Sequence, residues 1–323
     1  MTIKVGIVGT GFVANLRGDL FSQFPEAKVV GFAGPLHRSE ALGQKFNCPA
    51  FSEPEKLYEI ADLIVVANTN NDHSRVAQMA LEAGNHVVVE YPPALTYAEG
   101  LQLWQLAQAQ QKLLHIEHIE LLGGVHQAML QHLDKIGTVH FVRYVTKSPQ
   151  RPAPDKWTYY PNRYGFPLVG ALSRIHRLTA VWGAVKQVSC QVSYSGSHLP
   201  QRYSSCYCDA QLIFANGTIG HIHYSKGEYC WQSERSLEIQ GESGGLFFSN
   251  DRGKLINHAG ETALEVGSSR GLFAIDTQQV IEYLLEGKPL YVQPQSSLTA
   301  LQVADAARLA ATAHKIIDLE GNS

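Results

Sequence analysis

Short apolar runs alternating with helical spacing organise the first third of the chain. Ile3–Val8 is one such run, broken by Lys4 and Gly6 and ending in Gly9-Thr10-Gly11. A helical stretch from about Val13 to Phe24 separates it from Val29–Ala33. Leu63–Ala67 and His86–Glu90 follow, with Val76, Ala77, Ala80 and Leu81 between them at helical spacing. Ala98–Gln111 predicts a further helix and Leu113–Ile119 a further strand. Apolar strands interleaved with such helices predict βαβ units around a parallel sheet buried on both faces.

After Leu122 the period changes. A helix over about Gly124–Lys135 leads to alternating runs at Val139–Thr146, Val188–Tyr194, Cys206–Phe214, Thr218–Lys226 and Ser236–Gly241. Asn216-Gly217, between two of these runs, is a hairpin signal. The pattern predicts a mostly antiparallel sheet, covered on one face by a helix over about Leu168–Trp182, with late helices at Ile275–Glu286 and Ser297–Lys315. The expected fold is α/β: an N-terminal Rossmann domain, doubly wound around a parallel sheet, over residues 1–122, then an α+β domain with a large, mostly antiparallel sheet over 123–323. The final helix, 297–315, is free to pack back on the first domain.

Composition narrows the function classes. A net charge of −3 gives no global case for nucleic acid or an anionic membrane. Apolar residues at 45% and charged residues at 17% provide for a sizeable core. The five cysteines show no CxxC pair, which reads as reduced thiols of a cytoplasmic protein. No apolar run reaches the ~18 residues of a membrane span, and a strand starting at Ile3 leaves no room for a signal peptide.

Gly9-Thr10-Gly11-Phe12-Val13-Ala14 fits G-x-G-x-x-G/A directly after a strand and at the start of a helix. The glycines allow a tight turn and close approach of a pyrophosphate, which the helix N-terminus then attracts. Cofactor choice is read at the end of the second strand, where NAD sites place a carboxylate for the ribose 2′-hydroxyl. Here the chain runs Phe32-Ala33-Gly34-Pro35-Leu36-His37-Arg38-Ser39, with no carboxylate before Glu40. Arg38, with Ser39 and His37, suits a 2′-phosphate and favours NADPH over NADH; an exposed arginine on a helix cap is the bland alternative. Asn68, Thr69, Asn70 and His73 follow the fourth strand at the carboxyl edge, where ligands of open α/β sheets bind. Asn71 or Asp72 could equally cap the next helix.

His86–Glu90 followed by Tyr91-Pro92 resembles the glucose–fructose oxidoreductase and inositol dehydrogenase superfamily, whose fifth strand typically ends in Glu-Lys-Pro. Tyr91 stands where those sugar dehydrogenases have lysine, and Ser173 and Arg174 stand where their Asp-to-His pattern would fall, so the resemblance does not extend to alcohol oxidation. Val88–Pro92, His115–Leu122, Gly165-Phe166-Pro167 and Ser173-Arg174 resemble the biliverdin reductase family, with Ala94–Ala98 and Gly123–Gln127 closer to its cyanobacterial members. The similarity extends to Gly271-Leu272-Phe273 and Gly287–Val292. The resemblance implies NADPH-dependent reduction of biliverdin IXα to bilirubin IXα, by hydride transfer to the central methine carbon and protonation of a pyrrole nitrogen. It implies Arg174, Tyr91 and Glu120 as catalytic residues, with Tyr91, Tyr164, Phe166 and Arg177 on the substrate, Glu90 at the cofactor and no metal.

The residues suit that chemistry. Residues 143–177 carry Arg143, Lys147, Arg151, Lys156, Arg163, Arg174 and Arg177 against Asp155 alone, interleaved with six aromatic residues. Cations among aromatic faces fit a flat conjugated ligand with two propionates; single-stranded nucleic acid or a solvated basic face are the other readings of the same pattern. Hydride at a bilin methine drives electron density to a pyrrolic nitrogen, where the Arg174 guanidinium stabilises it. Tyr91 packs beside the nicotinamide, hydrogen-bonds the ligand, or simply packs on Pro92. Glu120 positions substrate, tunes Arg174, or forms a structural ion pair. His115, Glu117, His118 and Glu120 lack the H-E-x-x-H helical spacing of a metal site. A sugar or polyol dehydrogenase and a non-catalytic NADP-binding regulator remain the alternatives. The expected state is a monomer, with the outer face of the second sheet as the surface for any dimer.

Overall fold

Five apolar runs, with a two-residue strand at Ala50–Phe51, form a parallel sheet in a computed structural model that describes residues 2–196 and 201–319. Its elements are β1 (Ile3–Val8), α1 (Phe12–Phe21), β2 (Ala27–Ala33), α2 (Leu36–Phe46), β3 (Ala50–Phe51), α3 (Glu55–Ile60), β4 (Leu63–Val66), α4 (Asn70–Glu82), β5 (His86–Val89), α5 (Tyr97–Ala109) and β6 (Leu114–Ile116). The strand order is β3-β2-β1-β4-β5-β6, with β1 and β4 flanking the point where the order reverses. Alternation along the strands supplies two cores. Ile64, Val66, Val87 and Val89 pack with Leu57, Leu81 and Leu103 of α3, α4 and α5. Val5, Ile7, Leu63, Val65 and Val88 pack with Phe21 of α1 and with Val280 and Ile281 from a helix at Leu272–Glu286.

Among the described residues, the second sheet has nine strands. The elements here are α6 (Gly124–His132), β7 (Val139–Pro149), α7 (Pro161–Tyr164), α8 (Pro167–Gly170), α9 (Ser173–Trp182), β8 (Val185–Ser195), β9 (Ser205–Phe214), β10 (Ile219–Gly227), β11 (Glu234–Gly241), β12 (Gly244–Ser249), β13 (Arg252–Asn257) and β14 (Gly260–Leu264), followed by α10 (Leu272–Glu286), α11 (Pro294–Ala313) and β15 (Ile317–Asp318). The order is β14-β13-β12-β11-β7-β10-β9-β8-β15, with β7 and β10 parallel and the other neighbours antiparallel. Even-numbered positions such as Val142, Tyr144, Leu212 and Ile222 are buried on the side of α8 and α9. The opposite face is largely polar, and on it Arg143 of β7 pairs with Glu238 of β11 at 2.8 Å and Lys147 with Glu234 at 2.7 Å.

Two local expectations are corrected. The helix over 168–182 is broken into α8 and α9 at Ala171-Leu172; both are good helix formers, and the residue that ends α8, Gly170, lies against the Tyr164 ring. The strand expected to run to Ile119 ends at Ile116, and a 3₁₀ turn occupies Ile119–Leu121, so strict alternation does not apply to His118 and Glu120. The hairpin expected at Asn216-Gly217 forms, with four residues between β9 and β10; Gly217 takes a φ of +88° and Asn216 Oδ1 accepts from Thr218 N at 3.0 Å. By contact, the chain divides into two units: one holds the residues up to Ile119 and again Gly271–Leu298, the other Glu120–Arg270 and the residues from Thr299 on.

Candidate active site

The glycine loop of the first unit is shaped by what glycine alone permits. Gly9 has φ +135°, and a Cβ there would stand 2.4 Å from the Ala67 carbonyl oxygen at the end of β4. Gly11 caps α1 without a side-chain hydrogen bond, and a Cβ on it would meet nothing within 4 Å. An uncapped helix start beside open space, at the carboxyl edge of β1 and β4, fits a pyrophosphate. Thr10 borders Gly34, whose Cβ would lie 2.9 Å from Thr10 Cγ2, so the β2–α2 turn adjoins this loop. Phe12 is exposed and Val13 half-buried at the start of α1.

Arg38 and His37 are exposed in the first turn of α2. Ser39 is not placed with them: it is fully buried, with Oγ 3.0 Å from the Leu36 carbonyl and 3.2 Å from that of Phe51, so its hydroxyl serves the backbone. After β4, Thr69 Oγ1 donates to Asn71 Oδ1 at 2.8 Å, while Asn70 is buried. The Asn68 carbonyl lies 3.3 Å from His73 Nε2, and His73 Nδ1 is 2.8 Å from the Pro92 carbonyl. Burial lowers the His73 pKa, and the ring ties the β4 and β5 edges together. It is a brace rather than a ligand group.

Glu90 follows β5, and its Oε1 accepts from Arg17 Nε of α1 at 2.9 Å. The next residue, Tyr91, is half-buried and stacks on His118, with ring centroids 5.6 Å apart and planes 5° apart. Glu117 is buried, and burial, then the nearby Glu90 and Asp276, raise its pKa well above the ordinary carboxyl range.

The second unit gathers three guanidinium groups on one carboxylate. Arg174 Nη1 donates to Glu120 Oε1 at 3.1 Å, Arg235 Nη2 to the same oxygen at 2.6 Å, and Arg177 Nη2 to Oε2 at 3.4 Å. Burial opposes the charge on Glu120, yet Arg174, Arg177 and Arg235 outweigh it and hold the pKa near about 2. Three cations against one anion leave two positive charges in excess. Arg174 also donates to Ser173 Oγ at 2.5 Å, and Arg177 lies over the Tyr144 ring at 5.3 Å. Tyr164 is buried, its hydroxyl 3.3 Å from that of Tyr224, and Phe166 is half-buried just before α8.

Sequence reasoning missed Arg235, and it overcounted the basic segment. Arg143 and Lys147 belong to the outer face, paired with glutamates. Arg151 donates to the carbonyls of Glu228 and Cys230 and stacks on Trp231 at 3.9 Å. Arg235 enters through register: it pairs with Thr146 across β11 and β7, and Thr146 Oγ1 is 3.5 Å from Arg174 Nε.

Comparison with known proteins places these features in context. Residues 3–118 match the GFO/IDH/MocA oxidoreductase family, NAD-binding Rossmann fold, and residues 131–319 its C-terminal alpha/beta domain. The crystal structure of a biliverdin reductase in complex with biliverdin and NADP+ from Synechocystis sp. PCC 6803 is 44% identical, with a TM-score of 0.94 over 96% of this chain and 99% of that one. Biliverdin reductase A of Mus musculus is 27% identical over 186 residues, 57% of this chain and 60% of that protein, so the match spans less than two thirds of the mammalian relative. UDP-N-acetylglucosamine 3-dehydrogenase from Acidithiobacillus ferrooxidans, at 17% identity and a TM-score of 0.79, shares the fold.

Proposed function

This chain belongs to the GFO/IDH/MocA oxidoreductase family, and from that premise we propose that it is an NADPH-dependent biliverdin reductase. The observation that carries the reading is the 44% identity to the Synechocystis enzyme across 99% of that chain. The excess of two positive charges around Glu120 supports it, because biliverdin brings two propionates.

NADPH, when bound, supplies the hydride that adds to the central methine carbon. In the first unit, Gly9, Thr10, Gly11, Phe12 and Val13 form the pyrophosphate seat, and Arg38 with His37 holds the 2′-phosphate. Asn68, Thr69, Asn70 and Glu90 line the carboxyl edge. In the second unit, Arg177, Arg235, Tyr164 and Phe166 hold the bilin. Once the methine is reduced, a pyrrolic nitrogen carries the electron pair and takes up a proton. The Arg174 guanidinium stabilises that charge as a fixed cation and hands the proton on from water, being too weak an acid to stay deprotonated. Glu120 keeps Arg174 in place, and Tyr91 meets the ligand from the end of β5.

Among the described residues no helix is long and apolar enough to cross a membrane. A cytoplasmic monomer is the state proposed, and the paired charges on the outer sheet face support solvation of that face. Incubation with biliverdin and NADPH, followed optically, tests the function. Loss of the red bilin band with a yellow product supports the proposal. Nucleotide binding without turnover would make the protein a regulator, and turnover of polyols alone a sugar dehydrogenase.

A further inference from the structure

Arg17 has no solvent exposure, and its guanidinium is divided among groups from two other elements of the first unit. Nε donates to Glu90 Oε1 at 2.9 Å, and Nη1 donates to Asp276 Oδ2 at 2.5 Å and to Thr277 Oγ1 at 3.0 Å. The other oxygen of Asp276 lies 2.7 Å from His115 Nε2 and accepts from the Tyr291 hydroxyl at 2.9 Å. The Phe273 ring lies under the guanidinium at 4.9 Å.

An ion pair built for stability alone needs one carboxylate, and Asp276, fully buried, already fills that place. Glu90 is the second, and its side chain is 11% exposed at the carboxyl edge of β5, where ligands of open α/β sheets bind. One guanidinium between two carboxylates leaves negative charge in excess, and of the two only Glu90 reaches the surface. Burial and these neighbours raise the pKa of Glu117, the third carboxyl of the cluster, and its Oε1 accepts from Ile119 N at 2.6 Å rather than from Arg17.

We propose that Arg17 is a positioning residue that fixes the Glu90 carboxylate at the edge of β5, so that the site favours the oxidised, cationic nicotinamide over the neutral reduced one. This rests on the NADPH reading above. A fixed negative charge stabilises the positive charge that a nicotinamide acquires on giving up hydride, without any movement at that moment. Arg17 acts through Glu90 and needs no contact with the nucleotide.

The test is the ratio of NADP+ to NADPH affinity, measured by calorimetric titration of wild type, Arg17→Met, Arg17→Lys, Glu90→Gln and the Arg17→Met/Glu90→Gln pair. Arg17→Met should weaken NADP+ about tenfold more than NADPH, the size of one well-placed charge interaction, and Arg17→Lys should fall between it and wild type. In the Glu90→Gln background, Arg17→Met should change the ratio less than about twofold. Equal loss of both affinities would reduce Arg17 to a core ion pair and overturn the proposal. Should Arg17→Met fail to fold, Glu90→Gln decides by itself, since an unchanged ratio there also overturns it. Biliverdin is absent from these titrations. A wild type that binds both nucleotides but leaves biliverdin unreduced therefore refutes the functional reading and not this one, whereas a wild type that binds neither refutes this one.

Discussion

Two arginines carry the sharpest expectations. On the proposed function, Arg174 would face a substrate with two propionates, which any nearby cation can hold, and one developing charge, which only a well-placed cation stabilises. Interactions equal in ground and transition states alter KM, whereas those realised only in the transition state alter kcat. Arg174→Ala should therefore lower kcat strongly, and Arg174→Lys should restore it in part, because the planar fork that reaches Glu120 and Ser173 together is lost. Arg235→Ala, by contrast, should raise KM for the bilin with kcat nearly kept; steady-state kinetics on folded variants separates the two. At the other end of the chemistry, Arg38→Ala should weaken NADPH about ten- to a hundredfold more than NADH, the worth of a charge-assisted phosphate contact, read from the two KM values. Arg38 is picked out in the sequence by its place just after a strand end, and Arg174 by the family resemblance around Ser173-Arg174. Arg235 carries no such mark. It is half-exposed at the start of a strand, and only the register of β11 against β7 brings it to Thr146 and Glu120.

At the scale of elements, the sequence is most readable where burial on both faces forces an unbroken apolar run, as in β1, β4 and β5. It is least readable where an element is held by neighbours distant in sequence. The hairpins of β12, β13 and β14 are short and rich in glycine and charge, so their pairing shows only once β11 is in place beside them. The break between α8 and α9 has the same character. A Cβ on Gly170 would stand 2.3 Å from the Tyr164 ring, so a helical glycine here makes room for an aromatic residue six positions earlier. Gly170→Ala should push that ring from its seat, lower stability by about 1–3 kcal/mol as overpacking does, and raise KM for the bilin while NADPH affinity holds. Melting temperature, KM and a nucleotide titration together check it.

For the whole molecule, buried histidines set the response to acid. Burial lowers the pKa of His73, takes His126 to about 4 with help from Arg177, and takes His176 to about 3 with help from His126. All are neutral in the fold but bind protons in the unfolded chain below the ordinary 6.5, so each removes up to about 1.4 kcal/mol of stability per pH unit as pH falls from there. Glu117 works in the opposite sense: raised in the fold, it loses stability as pH climbs from 4.5 toward its folded value. Thermal melts across pH 4–8 should therefore show a steep acid limb, and Glu117→Gln should lift the neutral side alone. The division of the chain has a further consequence, for synthesis. Helix α10 closes one face of the first sheet and brings Asp276 to Arg17, yet about 150 residues of the second unit are made before it. A nascent chain therefore waits with Phe21, Ile7 and Val65 open on that face and with a guanidinium short of one carboxylate. The unit made first is among the last to be finished, and its vulnerable interval on the ribosome lasts until Leu298 has emerged.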